Sequence, residues 1–375
     1  MLEFVSRKGS RCLKYDELEE RFGSADLLPL WVADMDCRAP QVVEEALAQQ
    51  LKHGVYGYYS QEMAEDSKNA VCHWLSGHHG VGGLEAQDCF IFSGVLQSLA
   101  VCIEVFCPKD RGVILNAPAY NCFYSTIAAS GRAVLENKLR ADGAIDHALL
   151  ERQIRSSAVK PSVFLLCNPH NPSGHVWDKQ EIFELIRICK KYDLYLISDE
   201  VHFDLVYPGR KHESILNPEF SSLYDKIIML SAPNKTFNLP GLRTSYLISR
   251  NPELRKPLEE FALRFALEEI SITGHLALQS CYTRPEAGLW LEELLKYLKK
   301  NRDFLAAYLD AEFPELIHRK PESTYLYWIN CQNFRGGDPE ELRKFFIHAG
   351  LALGWGDLYH GNGCVRINFA CADSL

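Results

Sequence analysis

The stretch SVFLLCNPHNPSGHVWDKQEIFELIRICKKYDLYLISDE, residues 162–200, decides the fold. It opens on a short apolar run, VFLLC at 163–167, and halts at a loop holding two prolines and a glycine (168–174). The segment 179–191 then repeats its apolar residues at three- and four-residue spacing, the period of an amphipathic helix. A second apolar run, LYLIS at 194–198, closes the unit and ends on Asp199. Strand, helix and strand in that order make a crossover unit whose two strands lie parallel.

The same alternation extends outward. Short apolar runs at 112–116, 227–231 and 244–249, each bounded by Pro, Gly, Asn or Asp, read as further strands. Helical periodicity at 96–106 falls among them. The expected fold is α/β, a mostly parallel, doubly wound sheet with helices on both faces. After about residue 285 the texture changes to a long amphipathic helix (290–309), a strand (324–330), a helix (339–349) and a final strand (364–369). That reads as a smaller α+β unit. WVADMD at 31–36 behaves as a crossover segment rather than a strand, so the N-terminus is grouped with it. The expected division is a large domain over 40–285 and a small domain made of 1–39 and 286–375.

Composition narrows the function. Of 375 residues, 47% are hydrophobic and 24% charged, as in ordinary globular proteins. A net charge of −9 with no Lys/Arg run argues against nucleic acid as a partner. No apolar run approaches the ~20 residues that span a bilayer, and the N-terminus lacks a signal core, so a cytoplasmic protein is expected. The 13 cysteines are odd in number, scattered, and never spaced C-x-x-C, which points to reduced thiols and no metal. The one adjacent histidine pair, His78-His79, is placed in a Gly-rich loop.

Ligands of open α/β sheets collect outside the carboxyl ends of the strands, and five polar features fall there. Ser93-Gly94-Val95 opens a helix and offers free N–H groups to a phosphate, although many helices start after glycine for structural reasons. Tyr120 follows a strand and can stack on a flat ring or simply pack. Asn171 sits in the rigid loop 168–174, a geometry that presents an amide at little entropic cost. Asp199 ends an apolar run, where it suits a protonated heterocycle or caps a helix. Lys235 follows IIMLSAPN, an apolar setting that turns a lysine into an amine nucleophile unless it snorkels to the surface. Arg243, eight residues on, can grip an anion. Taken in chain order, these groups describe one pocket for a phosphorylated pyridine aldehyde.

With those residues in view, the sequence resembles fold-type I enzymes dependent on pyridoxal 5′-phosphate (PLP), the aminotransferase class I/II family, from Trp31 to Ala370. The resemblance implies that Lys235 carries the cofactor, Asp199 pairs with the ring nitrogen, Asn171 meets the ring hydroxyl and Tyr120 stacks on the ring. It assigns Gly94, Val95 and Arg243 to the phosphate and Arg366, in CVRINFA, to the substrate α-carboxylate. Tyr58, in VYGYYS, would reach the phosphate of a neighbouring subunit, which implies a homodimer. LPLWVADMDCRAP, APAYNCFY, CNPHNPSG, SDEVHFDLVYPGRKH and KTFNLPGL look most like the MalY/PatB branch of carbon–sulfur β-lyases. His202 agrees, since aminotransferases commonly carry tyrosine there. Asn234 departs from the family serine, and Gly94-Val95-Leu96-Gln97 is an unusual phosphate loop. The sequence stops at Leu375, where the family pattern runs on into a terminal helix. The implied activity is β-elimination from cystathionine or cysteine conjugates, releasing a thiol, pyruvate and ammonia. Transamination is the alternative, and a PLP-binding regulatory protein is a third reading.

Overall fold

The computed structural model describes residues 2–372. Its strands, in chain order, are β1 (Leu28–Leu30), β2 (Cys89–Phe92), β3 (Gly112–Ala117), β4 (Ala133–Lys138), β5 (Pro161–Cys167), β6 (Tyr195–Asp199), β7 (Ile227–Ser231), β8 (Ser245–Ile248), β9 (Ile317–His318), β10 (Leu326–Asn330), β11 (Leu351–Trp355) and β12 (Cys364–Asn368). Seven of them form one sheet in the order β2-β8-β7-β6-β5-β3-β4, in which β8 alone runs against the others. The decisive unit holds: β5 and β6 are parallel, joined by the helix Lys179–Lys191, with Cys167 registered on Asp199. That register sets the loop after β5 beside the Asp199 carboxylate.

The central strands are apolar on both faces because helices cover both. Along β5, Val163, Leu165 and Cys167 join one core with the helices Val95–Phe106 and Asn121–Ala129. Phe164 and Leu166 join the other core with Lys179–Lys191 and Gln61–His79. The pleat thus sends alternate residues to opposite layers, which is the doubly wound arrangement.

Five shorter strands form a second sheet, β1-β11-β12-β10-β9. β1 pairs in parallel with β11, Leu28 on Leu351, which draws the N-terminal segment onto the C-terminal sheet. Residues 31–36 are not a strand and cross from this sheet to the large one, as read from the sequence. Asn368 Nδ2 donates to the carbonyls of Val32 and Asp34, both at 2.6 Å, and Asn238 Nδ2 to those of Met35 (2.9 Å) and Cys37 (2.8 Å).

Several expectations need correction. The strand expected over 244–249 is shorter, and the long helix runs farther, Pro285–Glu312. β1, β2, β4, β9 and β11 were not anticipated. His78 and His79 lie in the last turn of the helix Gln61–His79, not in a loop; the glycine that follows, Gly80, is its left-handed cap. Among the described residues the 13 cysteines form no disulfide, and eight of them are buried. Among the described residues no helix is long and apolar enough to cross a membrane, and no group of three or more His, Cys, Asp or Glu is placed to hold a metal ion.

Candidate active site

Parallel strands present their carboxyl ends along one edge, and the loops leaving that edge close around a cavity of about 300 Å³. Ser93 and Gly94 follow β2, and the Gly94 carbonyl accepts from Gln97 N (2.9 Å) and Ser98 N (3.1 Å) to start the helix Val95–Phe106. The first N–H groups of a helix have no partner within it, and those after Gly94 border the cavity. Tyr120 follows β3 and caps the helix Asn121–Ala129. Asn171 follows β5, Asp199 ends β6, His202 lies in the turn beyond, Lys235 follows β7, and Arg243 precedes β8. All of these residues line the same cavity, Val95 included. Arg243 adopts the left-handed region at φ 49° and is exposed.

Two expected residues lie elsewhere. Arg366 is on β12 of the second sheet, buried, and is not among the residues lining the cavity. Its Nη1 donates to Asn171 Oδ1 at 3.1 Å and its Nη2 to the Trp31 carbonyl at 2.9 Å, while the Tyr359 ring faces the guanidinium at 4.6 Å. Tyr58 is fully exposed and is not part of its own chain's cavity.

Burial sets the ionisation of the central pair. Lys235 is lowered from 10.5 to about 8, chiefly because its charged form is desolvated; Arg366 adds to the fall, and Asp34 and Asp199 oppose it. Its Nζ donates to the Ala33 carbonyl at 2.6 Å. Asp199 is raised to about 7 by the same desolvation, although it accepts from Val201 N at 3.1 Å. That bond closes a turn rather than capping a helix, since residues 201–204 are a turn and no helix starts after β6 before Pro218, and it occupies one oxygen. His202 is pushed well down by burial and by the cations Lys235 and Arg366, so its ring is neutral.

Three buried polar atoms here have no hydrogen-bond partner among the described residues: His202 Nδ1, Asn234 Oδ1 and Arg366 Nε. Such atoms are costly unless something meets them. Their placement fits PLP and an amino-acid substrate: a basic amine, a carboxylate, an amide, an aromatic face, helix-start N–H groups and two arginines. A Cβ added to Gly94 would meet nothing within 4 Å, so the loop leaves open space where a phosphate would sit.

The sequence reading did not single out the groups that hold the lysine. The Ala33 carbonyl also accepts from Tyr325 OH at 3.0 Å, and Met35 N donates to Asn238 Oδ1 at 2.9 Å. The only sequence signal was that WVADMD breaks an apolar run with acids at 34 and 36, and that reads equally as a turn.

The chain matches the model of the family described as aminotransferase class I and II over residues 26–374. It is 33% identical to cystathionine beta-lyase PatB of Bacillus subtilis, covering 98% of this chain and 94% of that protein. It is 31% identical to protein MalY of Escherichia coli, covering 99% and 94% respectively. Among solved structures, PLP-containing cystalysin from Treponema denticola superposes with a TM-score of 0.91 at 30% identity, over 99% of this chain and 94% of that one.

Proposed function

The chain belongs to the aminotransferase class I and II family, and from that premise we propose that it is a PLP-dependent carbon–sulfur β-lyase acting on cystathionine and related cysteine derivatives. The observation that carries this reading is the likeness to PatB along nearly the whole of both chains. A cavity that gathers Lys235, Asp199 and Asn171 supports the cofactor.

When bound, PLP supplies a sink for the electron pair released as the substrate's Cα loses its proton. Lys235 would hold the cofactor, and its Nζ amine is the group placed to take the substrate's Cα proton as general base. Asp199 holds a proton on the ring nitrogen, Asn171 donates to the ring hydroxyl, and Tyr120 covers one ring face. His202 borders the ring as a neutral donor or acceptor. The N–H groups of Gly94 and Val95, with Arg243, hold the phosphate. Arg366 pairs with the α-carboxylate, already oriented by Asn171, Trp31 and Tyr359. The thiolate leaves from Cβ, and with one water the net products are thiol, pyruvate and ammonia.

We also propose a cytoplasmic homodimer. Tyr58 follows exposed Leu51, Val55 and Tyr56 in a segment with little cover, which suits a tyrosine that completes the partner's phosphate site. The proposed division into 40–285 against 1–39 with 286–375 is supported by each part holding the strands of one sheet.

The test is pyruvate release from PLP-loaded protein given L-cystathionine and no keto acid. Many turnovers are expected, and Lys235→Ala should abolish them. Conversion only in the presence of an added keto acid would replace the lyase reading with a transaminase.

A further inference from the structure

Asp204 lies five residues beyond Asp199, in the turn that leaves β6. Its side chain is 2% exposed, so it keeps its place only if its oxygens are met. They are met three times: Oδ1 accepts from Trp74 Nε1 at 3.1 Å and bonds His79 Nε2 at 2.8 Å, and Oδ2 accepts from Thr236 Oγ1 at 2.7 Å. Trp74 and His79 come from the helix Gln61–His79 and saturate one oxygen. The other is given wholly to the residue after Lys235.

The lysine's root sits in a turn closed by Phe237 N to Pro233 O and Leu239 N to Asn234 O, both 2.9 Å. Its far anchor is Asn238, which grips Met35 and Cys37 in the segment that supplies the Ala33 carbonyl. Its near anchor is Thr236, fully buried and branched at Cβ, so a single hydroxyl bond restricts both side chain and backbone. Asp204 also shares its turn with His202, whose carbonyl accepts from Leu205 N at 2.9 Å.

We propose that Asp204 is a positioning residue which, through the Thr236 hydroxyl, fixes where Lys235 Nζ stands relative to Asp199. This rests on the reading of Lys235 as the base. A long, flexible side chain reaches a reacting proton at a useful rate only when its root is held, and small misplacements are costly in rate. The contribution is geometric: it acts on the proton-transfer step and leaves substrate capture by Arg366 untouched.

The experiment compares Thr236→Val, which keeps shape and loses the hydroxyl, with Thr236→Ser, which keeps the hydroxyl, both as PLP-loaded protein. Exchange of the Cα proton of L-alanine for deuterium in D2O reads the base directly. L-Alanine has no leaving group at Cβ, so this readout is independent of lyase chemistry. For T236V we expect an exchange kcat lower by roughly tenfold, a KM within about twofold of wild type, and faster loss of PLP on dialysis. T236S should return to within about twofold of wild type. Should T236V fail to accumulate, T236A removes the hydroxyl without adding bulk and gives the same comparison. A tenfold fall rescued by serine supports the assignment whether or not pyruvate forms from cystathionine. Unchanged exchange in T236V, or a serine variant as impaired as the valine one, overturns it.

Discussion

Lys235 and Asp199 face one cavity with their ionisation ranges drawn together, one down to about 8 and the other up to about 7. Desolvation does both, because it penalises an ammonium and a carboxylate alike. The consequence for cofactor capture has a definite sign. The neutral amine is the nucleophile, and a lysine lowered to about 8 is mostly neutral above that pH rather than only above 10.5. Capture of PLP by cofactor-free protein, followed by absorbance, should therefore quicken as pH rises, reach half its maximum near pH 8, and then level off. The Asp199 charge favours the ammonium, so Asp199→Asn should move that midpoint lower still. A midpoint near 10.5 would show that Lys235 is hydrated and would remove its claim to be a ready nucleophile. Buried groups of this kind often mark functional sites, but the geometry around Ala33 and Asp204 is what turns the shift into a use.

At the scale of the elements, β5 shows what the sequence made legible. Five apolar residues in a row, 163–167, say that both faces are covered, and the structure sends Leu165 to one core and Leu166 to the other. Leu165→Ala should cost roughly 2–5 kcal/mol, read as a clear drop in the thermal midpoint, whereas Ile317→Ala, at a site 53% exposed, should leave the midpoint close to wild type. The central strands and the helix Lys179–Lys191 were readable because burial writes a period into the sequence. β4, AVLENK, was not, because it is an edge strand with polar residues in its second half. β1 is three residues long and takes its partner from beyond residue 350, so no local pattern announces it. The site divides in the same way. Asp199 and Lys235 stood out as charges at the ends of apolar runs, and Arg366 came only through the family resemblance. The Ala33 carbonyl lies 202 residues from the lysine it meets and is main chain, so no residue type could betray it. Asp204 was hidden in SDEVHFD, where one more acid reads as surface.

The whole molecule raises a question that a single chain poses sharply. Every residue assigned to PLP lines one chain's cavity except Tyr58, which stands fully exposed. If Tyr58 serves the neighbouring site, each active site of a two-fold dimer takes Lys235 from one protomer and Tyr58 from its partner. Complementation then follows from symmetry. Tyr58→Ala dimers lack the tyrosine at both sites, and Lys235→Ala dimers lack the base at both. A mixed dimer has one site lacking both groups and one site lacking neither: the Tyr58→Ala protomer keeps its lysine and receives the partner's intact tyrosine. Unfolding and refolding an equal mixture distributes subunits so that about half the dimers are mixed, each with one sound site of two. Lyase activity should recover to about a quarter of the wild-type value, well above the mean of the two parents. An activity equal to that mean would show that Tyr58 acts within its own chain or not at all, and the exposed stretch from Leu51 to Tyr58 would lose its assignment to the subunit interface.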